Sequence, residues 1–191
     1  MVDLRFADLP DEIEVGGEWA AVRTGFREWM AFGWAAERGL ADSGVFPGEP
    51  PDGDWLPAAL EFYRSENPCP RGGRAGGARP YDYVADGDYI VAAFQQAYGI
   101  DLTDPGLEMH WHRFLALFRG LPEDTRMARI IGYRTWAKRG RGETAESEAR
   151  ALRDEWALPP VDAPGASYEE QDDPLEGLYE EPDLSDYIPR G

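Results

Sequence analysis

The segment from Tyr81 to Trp136 constrains the fold of this chain more than any other. It reads YDYVADGDYIVAAFQQAYGIDL and, after a short break, LEMHWHRFLALFRGLPEDTRMARIIGYRTW. Apolar residues recur at spacings of three and four, and the runs are cut by glycine and proline. That pattern predicts three successive amphipathic helices with sharp stops. Asp86 to Tyr98 puts Ile90, Ala93, Phe94 and Ala97 on one face, and Gly99 stands where a left-handed residue closes a helix. Thr103-Asp104-Pro105 offers a cap and a proline in the first turn of the next. Leu107, Trp111, Phe114, Leu115 and Phe118 then form an apolar stripe that ends at Gly120. Leu121 to Thr125 opens the third helix, with Glu123 and Asp124 where the helix dipole favours acids. Met127, Ile130 and Ile131 give its inward side.

The first half is less regular. Glu12 to Val22 reads as a hairpin: Ile13 and Val15 alternate with acids, Gly16-Gly17 supply the turn and Trp19 begins the return strand. A lone hairpin is marginal in water, so this one must pack on a helix. Thr24 is a candidate cap for the helix that follows, with Phe26, Trp29, Met30, Gly33 and Trp34 on its buried face and Gly39 at its end. Ala41 to Asp54 reads as loop. Trp55 to Tyr63 reads as a short helix with Leu56, Ala59, Leu60 and Tyr63 inward. Thr144 to about Trp156 is a last helix, stopped by Pro159-Pro160. The expected fold is therefore mainly α: a small N-terminal β-hairpin packed on a compact bundle of about five to six helices, with a disordered acidic C-terminal tail. The expected domains are a helical body, residues 1–158, with a flexible Gly/Arg/Pro-rich insertion at 64–80, and an acidic tail, residues 159–191.

A chain of 191 residues with 42% hydrophobic content and seven tryptophans can build a real core. Charged residues, not an apolar run, follow Met1, so no signal peptide is expected, and no stretch approaches the roughly 20 apolar residues of a membrane helix. A soluble, cytoplasmic protein is the expectation. The one cysteine, Cys69, sits in a Pro/Gly-rich segment and reads as an incidental loop thiol of a reducing compartment. The net charge of −18 disfavours nucleic acid, which needs clustered cations. From Val161 onward ten acids face Arg190 alone, which places half of that charge in the tail.

Chemistry is hard to find. His110 and His112, if both are helical, point about 200 degrees apart and cannot share a metal as an i, i+4 pair does. The glycines of RSENPCPRGGRAGGARP follow no strand and precede no Gly-Lys-Ser/Thr, so the phosphate-loop reading fails. No Gly-x-Ser-x-Gly is present. The expectation is a non-enzymatic binding protein without cofactor or metal, whose tryptophan-laden helices grip another polypeptide. Two candidate contact regions stand out. One is the cationic run from Arg119 to Arg141, including Arg126, Arg129, Arg134 and Lys138. It reads either as a surface for acidic helices of a partner or of this chain's own tail, or as an ordinary solvated helix face. The other is the tail itself, where Leu175, Leu178, Tyr179, Leu184 and Tyr187 are spread among acids. That alternation suits a segment that folds on a partner, and equally a solubilising tail.

Several motifs in order carry a resemblance: LPDEIEVGGEW, Tyr98-Gly99-Ile100-Asp101-Leu102, the core from Trp111 to Phe114, Gly120-Leu121-Pro122-Glu123-Asp124-Thr125, and Ile131-Gly132-Tyr133-Arg134. Together they resemble the "gene product fifteen" family of tailed phages and prophages, over most of the first 158 residues. The chain departs from it at Trp111-His112, where the family often carries paired tryptophans, and the resemblance does not extend to the Gly/Arg-rich insertion or the tail. It implies a tail assembly chaperone or adaptor that binds the tape measure protein, and with it the tail tube protein, as a homo-oligomer on its partner, and that is absent from the mature virion. Two other readings compete. A structural minor tail protein would be retained in the virion. An acidic nucleic-acid mimic would need phosphate-like charge on a folded surface, whereas half of the charge here lies in the tail.

Overall fold

The computed structural model describes residues 9–65, 79–135 and 143–161, side chains of residues 143–145 excepted. Cys69, Lys138, Trp136 and the tail positions Leu175, Leu178, Tyr179, Leu184 and Tyr187 lie outside them. Among the described residues the chain runs as a two-stranded antiparallel hairpin followed by six helices, as the periodicity predicts.

Strands β1 (Glu12–Val15) and β2 (Glu18–Ala21) pair Glu12 with Ala21, Ile13 with Ala20, Glu14 with Trp19 and Val15 with Glu18. Gly16 and Gly17 both take positive φ, +63° and +91°, which this two-residue turn requires and which glycine adopts without a Cβ penalty. Ile13 and Val15 enter the common core and seat β1 on the second helix, α2. Helix α1 (Phe26–Glu37) is entered through Gly25, not through a threonine cap. Thr24 is used differently: its carbonyl accepts the Trp111 N–H at 2.7 Å, while the Phe26 N–H donates to the Met109 carbonyl at 3.0 Å. A short antiparallel bridge between Gly25 and His110 thus ties the start of α1 to the start of a helix 85 residues later.

Helix α2 (Leu56–Arg64) buries Ala59 and Phe62, with Leu60 and Tyr63 half-buried. Its inner face is rotated from the expected one, so that Leu56 stays exposed. Helix α3 (Gly87–Tyr98) buries Ile90, Ala93 and Phe94 and closes on Gly99 in the left-handed region, as read from the sequence. Helix α4 (Trp111–Arg119) starts later than the Thr103-Asp104-Pro105 signal suggests. The intervening residues are turned instead into a loop that Arg27 of α1 holds from outside. Its guanidinium donates to the carbonyls of Leu102 (3.0 Å), Asp104 (2.7 Å) and Leu107 (3.2 Å). The helix is then capped by an imidazole: His110 Nδ1 accepts the His112 N–H at 3.0 Å. Helix α5 (Arg126–Thr135) begins after Glu123 and Asp124, with the Thr125 hydroxyl accepting the Ala128 N–H at 3.3 Å. Helix α6 (Glu143–Glu155) lies against α5 and ends one residue before Trp156.

The core is aromatic and continuous. Phe114 stacks on Phe94 at 5.0 Å, on Phe26 at 5.5 Å, on Trp111 at 5.6 Å and on Phe118 at 5.7 Å, so one ring of α4 touches α1 and α3 together. Tyr63 stacks on Trp111 at 5.2 Å, and Trp29 on Phe62 at 4.5 Å, which adds α2. Such ring pairs contribute about 0.5–1.5 kcal/mol each beyond their buried area. The fold therefore spends its aromatics on itself.

Candidate partner-binding surface

Most of the tryptophans expected to grip another polypeptide pack within the fold. Trp29 and Trp111 are fully buried, and Trp34, Trp55 and Trp156 are half-buried against the core or its flank. Among the described residues only Trp19, on the hairpin, presents its indole to solvent, at 67% exposure.

The cationic run on α5 divides in the same way. Arg126 and Arg129 are exposed on α5. Arg126 lies over the Trp156 ring, 4.8 Å from its centroid, which holds the guanidinium against the flank of the molecule. Arg134, expected on a contact surface, is instead 6% exposed and spent on the fold. It forms a bidentate pair with Asp86, Nη1 to Oδ2 at 2.6 Å and Nη2 to Oδ1 at 2.9 Å, and its Nε donates to the Trp156 carbonyl at 2.6 Å. The physical reason is positional. Met127, Ile130 and Arg134 follow one another at spacings of three and four, so Arg134 continues the buried stripe of α5 and needs an internal anion.

That anion belongs to a larger network. The Asp82 N–H donates to Asp86 Oδ2 at 2.9 Å, and Asp82 Oδ1 in turn accepts the N–H groups of Val84 and Ala85 at 2.8 and 3.0 Å. Arg79 pairs with Asp82 Oδ2 at 2.7 Å and donates to the Pro159 carbonyl at 2.6 Å. Burial works against the Asp82 carboxylate, but those two backbone donors and Arg79 together hold its carboxyl below the usual range. Two arginines, each backed by an aspartate, thus clamp the carbonyls of Trp156 and Pro159 and fix the segment after α6. The ring of Trp156 is meanwhile set between Tyr89, at 6.0 Å, and Tyr133, at 6.4 Å. The sequence shows Asp86 only as a helix start; the sign of its internal role is an arginine on the apolar stripe of α5.

The histidines also depart from expectation. His110 precedes α4, so the helical angle between the two rings does not apply, and their centroids are 5.3 Å apart. Three of their four ring nitrogens are nevertheless committed to the fold. His110 Nε2 donates to the Pro10 carbonyl and His112 Nε2 to the Phe62 carbonyl, both at 2.9 Å, while His112 Nδ1 is buried without a partner among the described residues. Burial pulls the His112 pKa down to about 4, against the pull of the Phe62 carbonyl, so the ring is neutral at pH 7. No group of three or more His, Cys, Asp or Glu among the described residues is arranged to hold a metal ion. Three phenols, Tyr63, Tyr81 and Tyr83, converge beside Asp82. Burial, then the neighbouring Tyr81 phenol, pushes Tyr63 and Tyr83 far above the usual phenol range, so neither is poised as an acid or base near neutrality.

Among the described residues no helix is long and apolar enough to cross a membrane. Comparison with curated proteins and with solved structures gives no match. A family model does match: the one described as Bacteriophage Gp15 protein aligns with residues 57–158, from the first turn of α2 to just beyond α6. The hairpin and α1 lie outside that match, although they pack into the same core. The matched stretch includes the α4 aromatic stack, the Asp86–Arg134 pair and the Trp156 clamp, and it covers more than half of the chain. The chain belongs to the bacteriophage Gp15 protein family.

Proposed function

We propose that this phage protein is a tail assembly chaperone or adaptor, non-enzymatic, that binds the tape measure protein and assists tail tube assembly in the host cytoplasm. The observation that carries the reading is membership of the Gp15 family over the helical body. A tape measure protein is a long helical chain with exposed apolar residues. Keeping it soluble calls for many copies of a small folded body with an acidic exterior. A net charge of −18 on 191 residues suits that role. The Arg79–Asp82 and Arg134–Asp86 pairs are taken up within the fold, which suits a rigid binding body. In this reading the protein acts as a homo-oligomer on its partner and leaves before the virion matures.

Co-expression with a fragment of the tape measure protein from the same phage genome tests the proposal. The chaperone reading expects co-purification and a larger soluble fraction of the fragment. An insoluble fragment and no co-purification would sink it. Mass spectrometry of mature particles separates the structural-component alternative: the chaperone reading expects the protein to be missing from them.

A further inference from the structure

The hairpin presents a surface that the described residues leave exposed. Its cross-strand register sorts side chains onto two faces. Ile13, Val15 and Ala20 face the core side, and the opposite face carries Glu12 beside Ala21 and Glu14 beside Trp19. Directly opposed residues on an antiparallel pair stand roughly 5 Å apart at Cβ. Trp19 is therefore flanked by the carboxylate of Glu14 across the strand and that of Glu12 on the diagonal. All three side chains are exposed.

An indole two-thirds exposed is available to anchor an interface, where tryptophan is enriched. Its surroundings specify the occupant. Between Leu9 and Val22 the chain has Asp11, Glu12, Glu14 and Glu18, all exposed, and no Lys, Arg or His. The first cation that follows, Arg23, has its Nε tied to the Phe46 carbonyl at 3.3 Å. The outer face thus combines one aromatic plane with the carboxylates of Glu12 and Glu14, which have no cation of their own on the hairpin; Glu18, opposite Val15, belongs to the other face. A guanidinium fits this arrangement closely, because it stacks flat on an indole while its N–H fork reaches carboxylates at the rim. A phosphate backbone is repelled by the same face. A second copy of a chain with net charge −18 is disfavoured by self-repulsion.

We propose that the outer face of the β1–β2 hairpin docks an arginine-bearing segment of another protein, with Trp19 as the aromatic anchor and Glu12 and Glu14 as the ionic partners. The face lies outside the family-matched residues, and this inference stands whether or not the tail-assembly reading holds.

The test is fluorescence anisotropy of the full chain with a labelled helical peptide bearing arginines beside leucines, and with a control in which glutamates replace the arginines. Trp19 is exposed, so Trp19→Ala is expected to unfold at the same temperature as the wild type. Its affinity for the arginine peptide falls at least about tenfold, as for an interface anchor. Trp19→Phe recovers part of the loss. The Glu12→Gln/Glu14→Gln variant binds more weakly and with a flatter salt dependence, and the glutamate peptide does not bind. Three results overturn the proposal. The wild type fails to bind the arginine peptide. Trp19→Ala binds it as well as the wild type does, which puts the contact elsewhere on this acidic chain. Or sedimentation shows a self-associated wild type that Trp19→Ala dissociates, which assigns the face to a second copy.

Discussion

At the scale of single residues, Gly33 and His112 carry more of the structure than their size suggests. A Cβ on Gly33 would run into the Tyr63 ring, whose hydroxyl, Cζ and Cε2 all crowd that position. Tyr63 has little freedom to move aside, because its other face stacks on Trp111 with an interplanar angle of 11°. Gly33→Ala gains up to about 1 kcal/mol of helix propensity, but overpacking a filled site costs about 1–3 kcal/mol. A net loss of stability in urea unfolding is expected, and it should vanish in a Tyr63→Leu background. His112 sets a pH dependence. Its folded pKa is depressed to about 4 from 6.5, so the neutral form is favoured by folding. Its contribution is complete above pH 6.5 and is lost as pH falls towards 4, because the unfolded chain takes up the proton first. His110, also depressed by burial, acts with the same sign. A His112→Gln variant should lose less stability than the wild type between pH 6.5 and 4, measured by chemical denaturation at each pH. Equal slopes for the two proteins would refute this account.

At the scale of elements, what could be read from the sequence was whatever is periodic and local. The Gly16-Gly17 hairpin, the Gly99 stop of α3 and the six helices follow from spacing and turn chemistry. What could not be read depends on contacts distant in sequence. The start of α4 moved because Arg27, some 75 residues earlier, holds the preceding loop by its carbonyls, and because the His110 ring caps the helix. Thr24 lost its capping role to a backbone bridge with Trp111. In the candidate site, the cations of α5 all look like surface residues in the sequence, and only the fold separates Arg134 from Arg126 and Arg129. Asp86, 48 residues earlier, is the internal partner that makes the difference. The difference is testable. Arg134→Ala leaves the Asp86 carboxylate buried without its cation, at a cost of about 3–5 kcal/mol, and frees the Trp156 carbonyl, so amide exchange across α6 should rise. Arg126→Ala removes one partly solvated contact with the Trp156 ring and should cost under about 1 kcal/mol. Similar losses in thermal and chemical unfolding would return Arg134 to the surface.

At the scale of the whole molecule, charge and core are separated along the sequence. The core cluster runs from Ile13 to Met127, with Ile130 and Ala149 also buried, and the double arginine clamp closes it at Trp156 and Pro159. Half of the net charge lies beyond Val161. The body can therefore be asked to fold without that charge. A chain ending at Val161 should unfold within a few degrees of the full-length protein, since each 1 kcal/mol shifts a domain of this size by only about 2–4 °C. Relief of like-charge repulsion acts in its favour. The same truncation then divides the functional question. If the body alone keeps a tape measure fragment soluble, recognition lies in the folded surface, and the tail contributes repulsion between loaded copies. The body alone should then still bind the fragment but precipitate at lower salt. If binding disappears while the unfolding temperature holds, the contacts belong to the acidic-hydrophobic segment around Leu175, Tyr179 and Tyr187, and the helical body serves as its carrier.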